Sequence, residues 1–172
     1  IFQCFRYERM TLGRKREHFQ WNLDIIGQTD VTAEAEVLRT AISAVEKFGL
    51  TSAILKIRVG SRKLLYELLE KLKFDLVHFM EACMVLDKRG KVEDSVLKEM
   101  LISKGVSAFE IEILFKVLEL KNLNEVESIL GDQSVSLLEI KKLFRLMELS
   151  GYGNYLIFDI AVIRGLAYYT GI

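Results

Sequence analysis

Between Arg16 and Ile26 the side chains alternate without a break, with His18, Gln20, Asn22 and Asp24 on one side of the backbone and Phe19, Trp21, Leu23 and Ile25 on the other. A period of two fits an extended strand with two unlike faces. The segment therefore predicts a strand with one apolar face turned to a core and one polar floor. Ile1 to Glu8 carries a second such pattern, with Cys4, Arg6 and Glu8 on one face and Phe5 and Tyr7 on the other. Met10 to Arg16, holding Gly13 and three of the four cations of the cluster Arg9, Arg14, Lys15 and Arg16, breaks it and makes a loop. Two strands joined by a short loop predict an antiparallel hairpin in which Arg6 and Glu8 stand beside the polar row.

At the far end the spacing predicts a strand over Tyr155 to Ile163, running into Arg164-Gly165-Leu166-Ala167-Tyr168-Tyr169-Thr170-Gly171. Charged groups set inside apolar runs are costly unless they meet a ligand or a partner. The two ends thus predict a split active site, with the middle as scaffold. In that middle, Thr32 is expected to cap a helix built on Ala35, Leu38, Ile42, Val45 and Phe48 and ended by Gly49. A strand over Ala53 to Val59 follows, and then a helix opened by Ser61. From Phe74 to Leu149 only helical patterns occur, with Ser107/Glu110 and Ser136/Glu139 spaced as capping boxes. The expected division is a partial catalytic domain over 1–73, a helical insertion over 74–150 and a return to the first domain over 151–172.

Composition narrows the choice further. Half of the 172 residues are apolar, enough for a core, and 24 basic against 24 acidic residues leave no net field to draw in nucleic acid. Cys4 and Cys83 lie far apart without metal-ligand spacing, which predicts reduced thiols and no metal site. His78, in an apolar helical setting, is expected to be structural. No run suits a membrane helix or a signal peptide, so a soluble protein is expected, in the cytoplasm or in a plastid or mitochondrion. The chain begins without methionine and stops just after a glycine-containing motif, as a piece of a longer protein would.

Phe5-Arg6-Tyr7-Glu8 resembles motif 2 of the class II aminoacyl-tRNA synthetases. The longer stretch FRYERMTLGRKREHFQWNLDIIG is similar to histidyl-tRNA synthetases in particular, and RGLAYYTG resembles their second histidine-specific signature. The resemblance implies an α+β fold: part of the class II antiparallel sheet with flanking helices, plus an all-helical insertion that embraces the tRNA acceptor arm. It implies a ligase of protein biosynthesis that activates histidine with ATP to histidyl-adenylate and passes it to tRNA(His).

The same resemblance assigns roles. Arg6 and Arg164 would be catalytic, meeting the α-phosphate from opposite sides. Glu8 would lie near the adenine amino group and Arg14 near the outer phosphates, while His18 or Phe19 would lie against the adenine ring. Gln20 would meet the polar backbone of the amino acid, and Asp24, where many relatives carry glutamate, would bond the imidazole with Tyr169. Arg164 and Tyr168 border the same histidine pocket, with Tyr168 also read as packing the other way. Mg2+ is expected with ATP, with no ligands identifiable, and a homodimer is expected of the full-length protein.

No segment matches motif 1, motif 3 or an anticodon-binding domain, so this stretch alone is expected to be inactive. Two other readings stand beside this one. The first is a non-catalytic paralogue, such as the regulatory subunit of ATP phosphoribosyltransferase or a tRNA-sensing domain. The second is a helical RNA-binding or interaction module unrelated to synthetases, which the balanced charge and the absence of a strongly basic helix disfavour.

Overall fold

The computed structural model describes residues 1–7 and 9–163. Strands β1 (Phe2–Phe5) and β2 (Glu17–Gln20) form the expected antiparallel hairpin, in the register Phe2↔Gln20, Gln3↔Phe19, Cys4↔His18 and Phe5↔Glu17. Gly13, at φ 77°, turns the loop, and Thr11 and Arg14 exchange backbone hydrogen bonds across it at 3.0 and 3.3 Å. Only a residue without Cβ takes that φ without strain.

The second strand is shorter than the alternation predicts: it ends at Gln20, and Trp21 to Ile26 have no regular structure. The face expected to be core is also exposed, Phe19 at 76% and Trp21 at 48%. A strand needs a neighbour for its backbone groups and a layer across its apolar face, and a lone two-stranded hairpin supplies neither beyond Gln20.

Helix α1 (Thr32–Lys47) buries Ala35 and Ile42. Thr32 does not cap it: Thr32 is the first helical residue, the cap position is Val31, and the Thr32 backbone N–H donates to Oδ1 of Asp30, one residue before the cap, at 2.9 Å. Asp30 suits the position because its carboxylate also meets Lys142 Nζ at 2.6 Å, and these contacts hold its carboxyl below the usual range. Gly49, at φ 85°, ends the helix as expected.

Strand β3 is confined to Ile57–Val59, since Ser52 to Ile54 form a turn. Helix α2 (Arg62–Lys71) starts at Ser61, whose Oγ accepts from Leu64 N at 3.2 Å. A 3-10 turn over Leu76–His78 leads into α3 (Phe79–Leu86), α4 (Asp94–Ser103), α5 (Ala108–Leu118), α6 (Leu123–Leu130) and α7 (Val135–Leu149). Ser107 and Glu110 form the expected capping box on α5. At α7 the expected Ser136/Glu139 box is replaced. Ser134 caps, accepting from Leu137 N, while Ser136 lies buried inside the first turn with its N–H directed at Glu67 of α2.

A second 3-10 turn, Gly153–Tyr155, precedes β4 (Leu156–Phe158), which covers only the first part of the strand expected over Tyr155 to Ile163. Strand β4 pairs with β3 in parallel, Ile57↔Leu156 to Val59↔Phe158. The described strands form two separate pairs, one antiparallel and one parallel.

Two apolar cores result. The larger gathers Leu64, Leu65, Leu68 and Leu69 of α2 with Leu86, Leu97, Leu101, Leu114, Leu137 and Ile140 from the helices that follow, all 2% exposed or less. The smaller lies between α1, the β3–β4 pair and the last turns of α7, around Ile42, Val59, Leu143, Met147 and Tyr155. Each such side chain contributes roughly 1.5–3 kcal/mol by leaving water. Because α7 feeds both cores, with Leu137 and Ile140 in one and Leu143 and Met147 in the other, it ties the helical part to the β3–β4 pair.

Candidate active site

The hairpin register decides which candidate side chains share a face. Directly paired residues project to the same side of an antiparallel ladder, so Cys4 and His18 stand together, as do Gln3 and Phe19 on the opposite side. The Arg6 backbone N–H donates to Arg16 O at 2.8 Å, which extends the polar face past Cys4 and His18. On that face Arg6 Nη2 donates to Gln20 Oε1 at 3.3 Å, and Gln20 Nε2 donates to Asn22 Oδ1 at 2.6 Å. Three polar residues distant by up to sixteen positions thus form one connected row.

His18 lies half-buried on the same face, and its Nε2 is buried without a hydrogen-bond partner among the described residues. Phe19 projects from the opposite face and is exposed, so of the two residues expected against an adenine ring only His18 shares a face with Arg6. Gln3 and Glu17 hydrogen-bond through their side chains on the Phe19 side. The Arg16 guanidinium stacks 5.2 Å from the Tyr7 ring centroid, a cation–π contact. Arg14 sits exposed at the loop, and Asp24 is exposed beyond the end of β2. Glu8, Arg164, Tyr168 and Tyr169 lie outside the described residues.

The alternation in sequence pointed to this face but assigned nothing to Asn22, which the structure ties to Gln20. A residue at the right parity beside a candidate ligand is the signal that marks it.

Two cavities adjoin the β3–β4 pair and the chain that returns after it, and the first of them also meets the segment that follows the hairpin. One, of about 600 Å³, is lined by Ile25, Gln28, Glu34, Leu38, Arg58 and Val162 among others. The second, of about 620 Å³, is bounded by Arg58, Arg89, Asp94, Lys121 and Asp159, with Arg58 Nη1 3.3 Å from Asp159 Oδ2. Neither is lined by Arg6, Arg14, His18, Phe19, Gln20 or Asp24. Among the described residues no group of three His, Cys, Asp or Glu side chains is placed to hold a metal ion, and none of their helices is long and apolar enough to cross a membrane.

Comparison with known proteins bears on the same residues. The family model for histidyl-tRNA synthetase matches residues 2–172. The chain is 44% identical over 172 residues to the chloroplastic/mitochondrial histidine–tRNA ligase of Arabidopsis thaliana, covering 100% of this chain and 35% of that protein. It is 32% identical over 170 residues to the histidine–tRNA ligase of Natronomonas pharaonis, covering 98% of this chain and 39% of the relative. It therefore spans little more than a third of the length of these relatives.

Two solved structures share the fold. One is a histidyl-tRNA synthetase from Nostoc sp. PCC 7120, with a TM-score of 0.68 at 17% identity over 84% of this chain and 36% of that one. The other is a protein from Bacillus halodurans described as an ATP phosphoribosyltransferase regulatory subunit/histidyl-tRNA synthetase, with a TM-score of 0.65 at 21% identity over 84% of this chain and 38% of that one. At such identities the likeness speaks for the mixed α+β fold alone. The family match across the described hairpin and the closing motif alike makes this chain a member of the histidyl-tRNA synthetase family.

Proposed function

We propose that the chain is the motif 2 and insertion portion of a histidine–tRNA ligase, which joins histidine to AMP and then to tRNA(His). The observation that carries the reading is the polar row Arg6–Gln20–Asn22 on one face of a family-matched hairpin. The histidine carboxylate attacks the α-phosphorus of ATP, forming a new O–P bond as the bond to the departing pyrophosphate breaks. Charge grows on the phosphoryl oxygens in that step, and a fixed guanidinium nearby lowers its cost.

Arg6 fills that role with its planar donor fork, and Arg164 supplies the opposing charge. Arg14 reaches the outer phosphates and Glu8 the adenine amino group, with His18 or Phe19 against the ring. The shared face of Arg6 and His18 supports His18. Gln20 meets the amino acid's ammonium, while Asp24, Arg164, Tyr168 and Tyr169 form the pocket for the imidazole. Mg2+ bound with ATP would neutralise charge on its phosphates, and among the described residues no group of three His, Cys, Asp or Glu side chains is placed to hold it.

The helices from α3 to α7 are the insertion over 74–150, set in a catalytic domain that comprises 1–73 and 151–172, and they approach the acceptor arm of the tRNA. The full-length protein works as a homodimer in the cytoplasm or an organelle, and this stretch alone is inactive. The regulatory-subunit reading has only the fold likeness behind it, whereas the polar row supplies the donors that adenylation requires.

Histidine-dependent ATP–pyrophosphate exchange by the full-length protein tests the proposal. Arg6→Ala is expected to lower kcat by about 10²–10³-fold, the range for losing one such donor. Histidine binding without exchange by the wild-type protein would favour the regulatory paralogue.

A further inference from the structure

One residue fixes the polarity of the row on the hairpin floor. A guanidinium has donors and no acceptor, so the Gln20 atom that meets Arg6 Nη2 must be the carbonyl oxygen. The Gln20 amide nitrogen then faces the other way, and the Asn22 atom that receives its hydrogen bond at 2.6 Å must be Oδ1. The row is directed, Arg6 to Gln20 to Asn22. The register adds a second fact. Gln20 is paired with Phe2, whereas Arg6 bonds through its backbone to Arg16, so the Arg6 side chain lies back along the floor past the Cys4–His18 pair to reach Gln20.

An amide's two ends have nearly the same shape, so a Gln20 held only from one side would be free to turn its nitrogen toward an incoming ammonium and repel it. Building on the function proposed above, we infer that Asn22 is a positioning residue for the amino acid. Its Oδ1 holds the Gln20 nitrogen, which keeps Oε1 facing the substrate. When the nucleotide's α-phosphate draws Arg6 away, the freed Oε1 accepts from the α-ammonium of histidine. Oε1 could accept from both, but Arg6 and the ammonium are like charges that repel when crowded at one oxygen, so each substrate favours the other: nucleotide draws the guanidinium away, and the ammonium releases Arg6 to phosphate. Such coupling is reciprocal.

The test is steady-state exchange by the full-length protein carrying Asn22→Ala or Asn22→Asp. The alanine variant should raise KM for histidine about tenfold, as loss of one ordering hydrogen bond would, and leave KM for ATP within about twofold. The aspartate variant keeps the acceptor oxygen and should return KM for histidine to within about threefold of wild type. Calorimetry with α,β-methylene-ATP should show the analogue tightening histidine binding in the wild type and less so in the alanine variant.

Asn22 is exposed, so both variants should melt with the wild type. An unchanged KM for histidine in the alanine variant, an equal rise in both KM values, or an aspartate variant as impaired as the alanine one would overturn the inference. A wild-type protein that neither binds histidine nor catalyses exchange would instead remove the functional reading on which it rests.

Discussion

Ser134 Oγ donates to Glu67 Oε2 at 2.5 Å while accepting from Leu137 N at 3.2 Å, so the cap of α7 is held from the side of α2. Glu67 also faces the Ser136 N–H at 3.4 Å, so one carboxylate meets both the cap and the first turn of a helix far along the chain. Glu67→Ala should destabilise the protein by about 1–3 kcal/mol, the cost of stranding partly buried polar groups. Urea titration of Glu67→Ala, Ser134→Ala and the double variant should give a non-additive cycle. Strictly additive losses would mean that the two side chains act independently.

Glu110 gives a pH signature. Burial alone would raise its carboxyl, but hydrogen bonds from Ser107 Oγ at 2.6 Å, Ser107 N at 2.8 Å and Asp75 N at 3.1 Å outweigh burial and hold it below its ordinary 4.5. A depressed folded value means that the stabilisation is complete above the unfolded value and is lost as pH falls through the folded one. Ser107→Ala should cost about 1 kcal/mol at neutral pH. Its deficit against wild type should narrow as the solution is acidified below 4.5, which chemical denaturation along a pH series can read.

Asp24 is the residue of the exposed segment after β2 on which selection of the imidazole is proposed to rest. In the full-length protein Asp24→Ala should abolish preference for histidine while changing ATP affinity by less than about tenfold, because a missing carboxylate leaves a ring nitrogen unpaired. Parallel ligand titrations check this. Equal loss of both ligands would assign Asp24 to structure.

Gly60 follows β3 where the chain returning through Asp159 to Val162 crosses it. A Cβ there would stand 2.6 Å from Asp159 O and 2.7 Å from Val162 O, both backbone atoms with little room to retreat. Gly60→Ala should therefore lower stability by about 1–3 kcal/mol through overpacking. An unchanged melting temperature would show that this turn gives way freely.

What the sequence revealed was whatever depends on near neighbours. Ser107 and Glu110 were legible because both partners sit within one turn, and the Arg6 face was legible because parity alone sets it. The cap of α7 was misplaced by two residues because its deciding partner, Glu67, is remote in sequence, and the Thr32 N–H goes to Asp30, whose carboxylate also reaches the remote Lys142. Strand β2 was overextended for a related reason. Alternation reports the faces a strand would have, while the neighbour that lets it continue past Gln20 has to come from elsewhere. The candidate site was legible as a list of side chains, but the directed row through Asn22 required the register.

Strands β3 and β4 place side by side the departure and the return of the stretch that carries α2 to α7, three residues against three. That geometry makes the intervening helices a cassette. Its ends are stitched at one short seam, so a homologous block of different length could be exchanged there, provided that the residue at 60 stays small and α7 keeps the Leu143–Met147 edge that buttons it to α1.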